Sequence, residues 1–289
     1  MKVCFVGLGT MGLPMAECLI DAGYSVASWD ISESAGADLP GRCETLAAAA
    51  DGANAVVTML PEGSHVAAVV EEILSLGSSD QIIFIDSSTI DVTTSRDLAA
   101  KADAAGHGFV DAPVSGGAEA ARAGTMAFML GGNAEHVAKI MPLLEVMGAK
   151  STHFGDAGAG QAAKACHNMI CGITALGVCE GFALADSLGL DMQMFFDMCK
   201  GAAAQSWVLE NRCPVPGPAP ATPASNGYAP GFAASLMAKD MRLAQEAAGA
   251  TGQQTPFGAE AARRFTEYAE DKAAGDLDFS SIYWTIRNS

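Results

Sequence analysis

The chain has 289 residues, half of them hydrophobic and 17% charged, which provides for a large buried core and excludes a disordered chain. Its net charge of −17, with Lys and Arg scattered rather than massed, excludes nucleic acid and anionic membrane surfaces as partners. A small anionic ligand must therefore be gripped by local donors, against the sign of the overall field.

The length reaches the ~250–300 residues at which a single core usually stops growing, so two domains are expected. Met1-Lys2 runs directly into apolar residues, so no signal or transit peptide is expected. Runs of ~18 apolar residues are also lacking, and a cytoplasmic, non-membrane protein is expected. The eight cysteines show no CxxC spacing and read as reduced thiols, with no metal site.

In chain order, Lys2–Val6 reads as a strand, Met11–Ala22 as a helix, and Ser25–Trp29, Ala55–Met59 and Gln81–Ile85 as strands. Helices are expected over His65–Leu74 and Thr93–Ala104, and strands near Gly108–Val110, Ala127–Leu130 and Ser151–Phe154. Unalternating runs such as Ile82-Ile83-Phe84-Ile85 suit strands buried on both faces of a parallel sheet. The fold class is therefore α/β, an N-terminal Rossmann-type doubly wound sheet spanning 1–160. Residues 161–289 read as an all-helical domain joined to it by a long helix, Gln161–Leu188. Further helices are expected at Met192–Lys200, Phe232–Gly249 and Pro256–Asp271. Between them, Pro214–Gly231 holds six of the twelve prolines; its aromatic and Asn residues favour a tied-down loop over a floppy linker.

Gly7-Leu8-Gly9-Thr10-Met11-Gly12 is a complete GxGxxG, following a strand and opening a helix as dinucleotide binding requires. Gly7 permits the tight turn, Gly9 lets a pyrophosphate approach the backbone, and Gly12 allows close helix–strand packing. The helix N-terminus offers N–H groups and partial positive charge to the diphosphate. Asp30 ends the second strand, where a carboxylate binds the adenosine ribose and repels a 2′-phosphate. The next basic residue is Arg42, read as too remote to welcome NADP, so NAD is expected.

Asp111-Ala112-Pro113-Val114-Ser115-Gly116-Gly117 ends in a turn whose backbone N–H groups and hydroxyl suit a carboxylate, although a plain connecting turn would read the same. Lys164 and Asn168 share one helix face, one turn apart. Small apolar neighbours would desolvate Lys164 and fit it for proton transfer; by spacing alone a solvated helix lysine is the default. Lys239-Asp240 reads as a surface ion pair on an amphipathic helix. Tyr268 and Lys272 fit YxxxK, the short-chain dehydrogenase signature, but sit far past the nucleotide-binding half and read as a solvated face.

Taken together, these segments resemble the β-hydroxyacid dehydrogenase family almost end to end. The resemblance rests on GLGTMGLPMA, DSSTI at Asp86–Ile90, DAPVSGG at Asp111–Gly117, GTMAFMLGG at Gly124–Gly132, GAGQAAK with Asn168, and LMAKD at Leu236–Asp240. The stretches around Ser206-Trp207, Pro214–Gly217, Pro223–Asn226 and Asp278–Ser281 look like its hydroxyisobutyrate branch in particular.

The resemblance implies that Lys164 is the catalytic acid–base and that Asn168 orients lysine or substrate. Ser115, Gly116 and Gly117 would hold the substrate, and Lys239 would lie near the nicotinamide end. Leu60, Pro61 and Thr89 would join Gly7–Gly12 and Asp30 in contacting NAD. The implied reaction converts 3-hydroxyisobutyrate to methylmalonate semialdehyde in a homodimer or homotetramer. Tartronate or succinate semialdehyde reduction, glyoxylate reduction, and a non-catalytic NAD-binding scaffold stay open as alternatives. His167 departs from the pattern, which has Asn there, and its effect falls on hydrogen bonds around Asn168.

Overall fold

The computed structural model describes residues 1–77 and 80–288. It divides into two compact units, Met1–Lys164 and Ala165–Ser289, with the division inside one long helix.

The first unit runs β1 (Lys2–Val6), α1 (Gly12–Asp21), β2 (Ser25–Trp29), α2 (Leu46–Ala50), β3 (Ala55–Thr58), α3 (Gly63–Ser75), β4 (Ile83–Asp86) and α4 (Val92–Ala104). It continues through β5 (Gly108–Asp111), β6 (Val114–Ser115), α5 (Gly117–Ala123), β7 (Met126–Gly132), α6 (Ala134–Met147), β8 (Gly148–Gly155) and the start of α7 (Ala159–Ser187). The strands form one sheet in the order β2-β1-β3-β4-β5-β7-β6, with β8 pairing β7. The first five are parallel, and the inner strands β1, β3 and β4 with β5 are buried along almost their whole length, as expected for a doubly wound sheet covered on both faces, while the edge strand β2 alternates. One face buries Met15, Leu19, Ile140 and Leu144 of α1 and α6 against Val3, Phe5, Val57 and Ile85. The other buries Val66, Val70 and Leu98 of α3 and α4 against Cys4, Val6, Val56 and Phe84.

At β7 the parallel run is broken, although β8 again pairs parallel with β7 across α6. β7 runs antiparallel to β5, and β6 antiparallel to β7. β5 and β6, separated only by Ala112 and Pro113, run in the same direction along β7, and the chain reverses between β6 and β7 across α5. Two helices in this region, α5 and α6, carry no strong sequence signal. Pro142 sits inside α6, where proline removes a helix hydrogen bond, and Asn133 compensates by capping the helix through Glu135 N at 2.8 Å.

The second unit holds the rest of α7, then α8 (Met192–Lys200), α9 (Trp207–Asn211), α10 (Ala234–Thr251), α11 (Pro256–Ala269), α12 (Lys272–Gly275) and α13 (Tyr283–Arg287), with short 3₁₀ turns at Pro223–Asn226 and Phe279–Ile282. Its core joins Ala175, Cys179 and Phe182 of α7 to Met237, Met241, Phe265 and Tyr283. By length and composition alone, α7 is long and apolar enough to cross a membrane, against the expectation from unbroken apolar runs. Its buried stripe in this core, and Lys164, His167, Asn168 and Glu180 along its length, mark it as a core helix. The proline-rich segment is tied down: Tyr228 Oη donates to the Pro214 carbonyl at 2.7 Å, and Asn226 Nδ2 donates to the Thr222 carbonyl at 2.9 Å. The YxxxK pair falls on two helices, α11 and α12. Tyr268 is not a solvated face residue; it is half-buried and donates to Ser281 Oγ at 2.8 Å.

Candidate functional site

At the glycine loop, each glycine has its own steric reason. Gly7 has φ +95°, and a Cβ there would overlap the Met59 carbonyl. A Cβ on Gly12 would overlap the Gly7 carbonyl oxygen, so the first turn of α1 can close on the loop only without one. Gly9 faces open space, the room a pyrophosphate needs at this position. Among the described residues no side chain caps α1, whereas Asp91 caps α4 through Thr94 N at 2.7 Å. An uncapped N-terminus leaves backbone donors to an anion. Thr10 is exposed and Met11 partly buried beside it. The loop therefore fits a dinucleotide.

The Asp30 carboxylate is oriented from both sides. Oδ2 accepts from Leu8 N at 2.7 Å and Oδ1 from Ser32 N at 2.8 Å. Arg42 is not remote: its Nη2 donates to the Asp30 carbonyl at 2.8 Å and its Nε to the Ala35 carbonyl at 3.2 Å. The intervening turn folds it back, twelve residues on. It serves as a staple for the ribose loop, with its donors committed to backbone carbonyls.

Leu60 and Pro61 follow β3, and Thr89 follows β4, at the carboxyl ends of the parallel strands where open α/β sheets bind ligands. Leu60 N donates to Ser88 Oγ at 2.9 Å. Beneath this loop Asp86 is fully buried. Its Oδ1 accepts from Thr58 Oγ1 at 2.8 Å and Ser88 N at 3.1 Å, while Oδ2 has no hydrogen-bond partner among the described residues. Burial, with Asp111 adding a smaller like-charge effect, raises its pKa to about 6.

The chemical end is built around Asp111 and Lys164. Asp111 pairs with Asp86 across β4 and β5, and its carboxylate caps the start of α7 from a distance. Oδ1 accepts from Gly158 N at 2.8 Å, and Oδ2 from Gln161 N at 2.9 Å. Burial raises the Asp111 pKa, opposed by these amide bonds. Lys164 lies in the same first turns of α7. It is 7% exposed, and its Nζ donates to the Val114 carbonyl at 2.8 Å. The solvated-lysine default is thereby overturned. Ser115 is half-buried next to that carbonyl, followed by Gly116 at φ +131° and Gly117 at φ +71°, which opens α5. Positive φ at both positions favours glycine strongly.

In the helical unit, Asn168 is 4% exposed, and its Nδ2 donates to Asp240 Oδ2. His167 Nδ1 bonds Asn168 Oδ1 at 2.8 Å, so the departure at 167 acts directly on the Asn168 amide. Asp240 is not half of a surface ion pair. It is 4% exposed, with Lys239 Nζ at 4.0 Å from its other oxygen. Its signal was available: Asp240 shares the buried stripe of α10 with Ala234, Met237, Met241 and Ala244, and a carboxylate on an apolar stripe needs a polar partner.

The loop, the sheet and the helical unit define an NAD(P)-binding Rossmann-type domain followed by an all-helical domain. Residues 2–155 match the family model described as the NAD binding domain of 6-phosphogluconate dehydrogenase. Residues 158–286 match the one described as NAD-binding of NADP-dependent 3-hydroxyisobutyrate dehydrogenase. The chain is 43% identical to a probable 3-hydroxyisobutyrate dehydrogenase of Mycobacterium tuberculosis, over 99% of this chain and 97% of that protein. It is 42% identical to the 3-hydroxyisobutyrate dehydrogenase of Pseudomonas aeruginosa, over 97% and 96%. A solved structure of the Mycobacterium tuberculosis 3-hydroxyisobutyrate dehydrogenase with L-serine superposes with TM-score 0.93 at 41% identity, covering 99% of each chain. The chain belongs to the 3-hydroxyisobutyrate dehydrogenase family of β-hydroxyacid dehydrogenases, NAD(P)-dependent oxidoreductases acting on CH–OH groups.

Proposed function

We propose that the chain oxidises 3-hydroxyisobutyrate to methylmalonate semialdehyde, with NAD as the preferred acceptor and Lys164 as acid–base. The observation that carries this is the buried Lys164 Nζ held on the Val114 carbonyl, directly before Ser115 and the two positive-φ glycines. Bound nicotinamide supplies the hydride acceptor. As the alcohol carbon loses hydride, Lys164 takes the hydroxyl proton; in the reverse direction its ammonium returns one. Ser115, Gly116 and Gly117 present a hydroxyl and backbone amides to the carboxylate, and fixed orientation supplies much of the rate. Asn168, its amide set by His167 and Asp240, orients groups one helical turn beyond the lysine.

L-Serine is the second substrate to test, because it accompanies the Mycobacterium tuberculosis relative and differs from 3-hydroxyisobutyrate by an ammonium in place of a methyl. A panel of 3-hydroxyisobutyrate, L-serine and the reverse reactions with tartronate semialdehyde, succinate semialdehyde and glyoxylate, each with both cofactors, decides the substrate. NADH binding with no turnover on any of them would point instead to a non-catalytic scaffold.

The NAD preference is supported by the Asp30 carboxylate at the ribose position and by the commitment of Arg42 to backbone carbonyls. Asp30→Ala should lower NAD affinity by about ten- to a hundredfold, the loss of charged hydrogen bonds of roughly 1.5–3 kcal/mol, with NADP gaining relative to NAD. Fluorescence titration with both reduced cofactors checks this, and an unchanged ratio would place selectivity elsewhere.

A further inference from the structure

Gln161 occupies the first turn of α7, one turn ahead of Lys164, and is 1% exposed. Its amide group spends both ends on one loop. Nε2 donates to the Ser88 carbonyl at 2.8 Å, and Oε1 accepts from Ile90 N at 3.2 Å. Those two backbone groups flank Thr89. The same loop is joined to the turn after β3 through Leu60 N and Ser88 Oγ, and to β4 through Ser88 N and Asp86 Oδ1. On its other side, Gln161 is fixed by its own backbone N–H to Asp111 Oδ2.

One buried amide thus joins the loop after β4 to the helix that carries Lys164. Burial of an amide does not by itself argue for stability, since an apolar side chain of the same shape serves about as well when both partners are removed. What an amide adds is direction: a donor and an acceptor aimed at two fixed points set register and distance, which dispersion contacts do not. Asp111 and the Val114 carbonyl hold α7 and Lys164 against β5 and β6, and Gln161 reaches the loop containing Thr89.

Resting on the dehydrogenase reading above, we infer that Gln161 is a positioning residue that couples the cofactor loop Ser88–Ile90 to the acid–base lysine, so that dinucleotide seated on that loop orders the first turns of α7. Its removal leaves Lys164 in place chemically and misplaces it geometrically. Displacement by about an ångström is enough to cost roughly a hundredfold in rate.

Two full-length variants test this. Gln161→Met keeps the length and loses both hydrogen bonds. Gln161→Glu keeps the acceptor for Ile90 N, and regains a donor for the Ser88 carbonyl only when protonated. In Gln161→Met, kcat should fall by roughly a hundredfold with KM for the hydroxy acid little changed, and the deuterium isotope effect on kcat should rise. In Gln161→Glu, turnover relative to the parent should recover as pH falls and the donor to the Ser88 carbonyl returns. Hydrogen exchange supplies a readout free of catalysis: NADH should protect residues 158–164 in the parent and not in Gln161→Met, while protecting the glycine loop in both. Protection of 158–164 by NADH in Gln161→Met, or parental turnover in that variant, would overturn the inference. If the parent binds NADH but oxidises no hydroxy acid, the dehydrogenase reading fails and the exchange experiment still decides the coupling. Should Gln161→Met not fold, the pH response of Gln161→Glu decides: a flat ratio to the parent overturns the inference.

Discussion

Replacing Lys164 by alanine should lower turnover by about 10²–10⁴-fold, the range general acid–base groups contribute, while NADH binds with parental affinity. The reasoning is geometric. Lys164 is buried, its Nζ is held on the Val114 carbonyl beside the expected carboxylate grip, and Ser115, Gly116 and Gly117 contribute no titratable base of their own. Arginine at this position should also fail, since a guanidinium stays protonated and cannot accept the hydroxyl proton. Small primary amines added to Lys164→Ala should restore part of the turnover, because they return a base to the vacated volume. Single-turnover kinetics together with an NADH titration check the expectation. Near-parental turnover in Lys164→Ala would remove the lysine from the mechanism.

The second large effect concerns Asp86 and stability. Its pKa in the fold is raised to about 6 from 3.8, first by burial, with Thr58 and Ser88 opposing and Asp111 adding. The folded state therefore keeps a proton that the unfolded chain gives up. The stability tied to that proton is full below about pH 4 and is lost as pH rises through about 6. Above that window a charged carboxylate sits buried with one oxygen lacking a hydrogen-bond partner among the described residues. Asp86→Asn removes the charge and keeps the carbonyl acceptor for Thr58 and Ser88. At pH 8 the variant should be more stable by as much as about 3 kcal/mol, from the shift between 3.8 and about 6. Near pH 4 that advantage should vanish. Parallel urea unfolding curves between pH 4 and pH 8 measure the difference, in which carboxylates not coupled to Asp86 cancel. A constant offset across that range would show that Asp86 does not titrate in it.

Much of the fold was written in local pattern. Unalternating apolar runs such as Ile82–Ile85 announced buried parallel strands, and the glycine loop between β1 and α1 announced a nucleotide site, because each glycine answers a backbone demand within a few residues. The one-turn spacing of Lys164 and Asn168 followed from helix periodicity alone. The reversal of β7 against β5 and β6 was harder to see. It falls across the short helix α5, and local propensity does not encode the direction of the next strand. The helix α6 was masked by Pro142, whose cost is offset by packing on the sheet.

The site divides along the same line. Residue types and their spacing determined, from the sequence alone, that the chain binds a dinucleotide and that a lysine and an asparagine share one helix face. Only the tertiary structure decided that Lys164 is buried, that Arg42 returns to Asp30, that Asp240 orients Asn168, and that Gln161 reaches Ser88 and Ile90. Those contacts join residues separated by as many as 73 positions. Their strength comes from exclusion of water around groups that meet only after the chain has folded, and no local pattern of residues records which groups those will be.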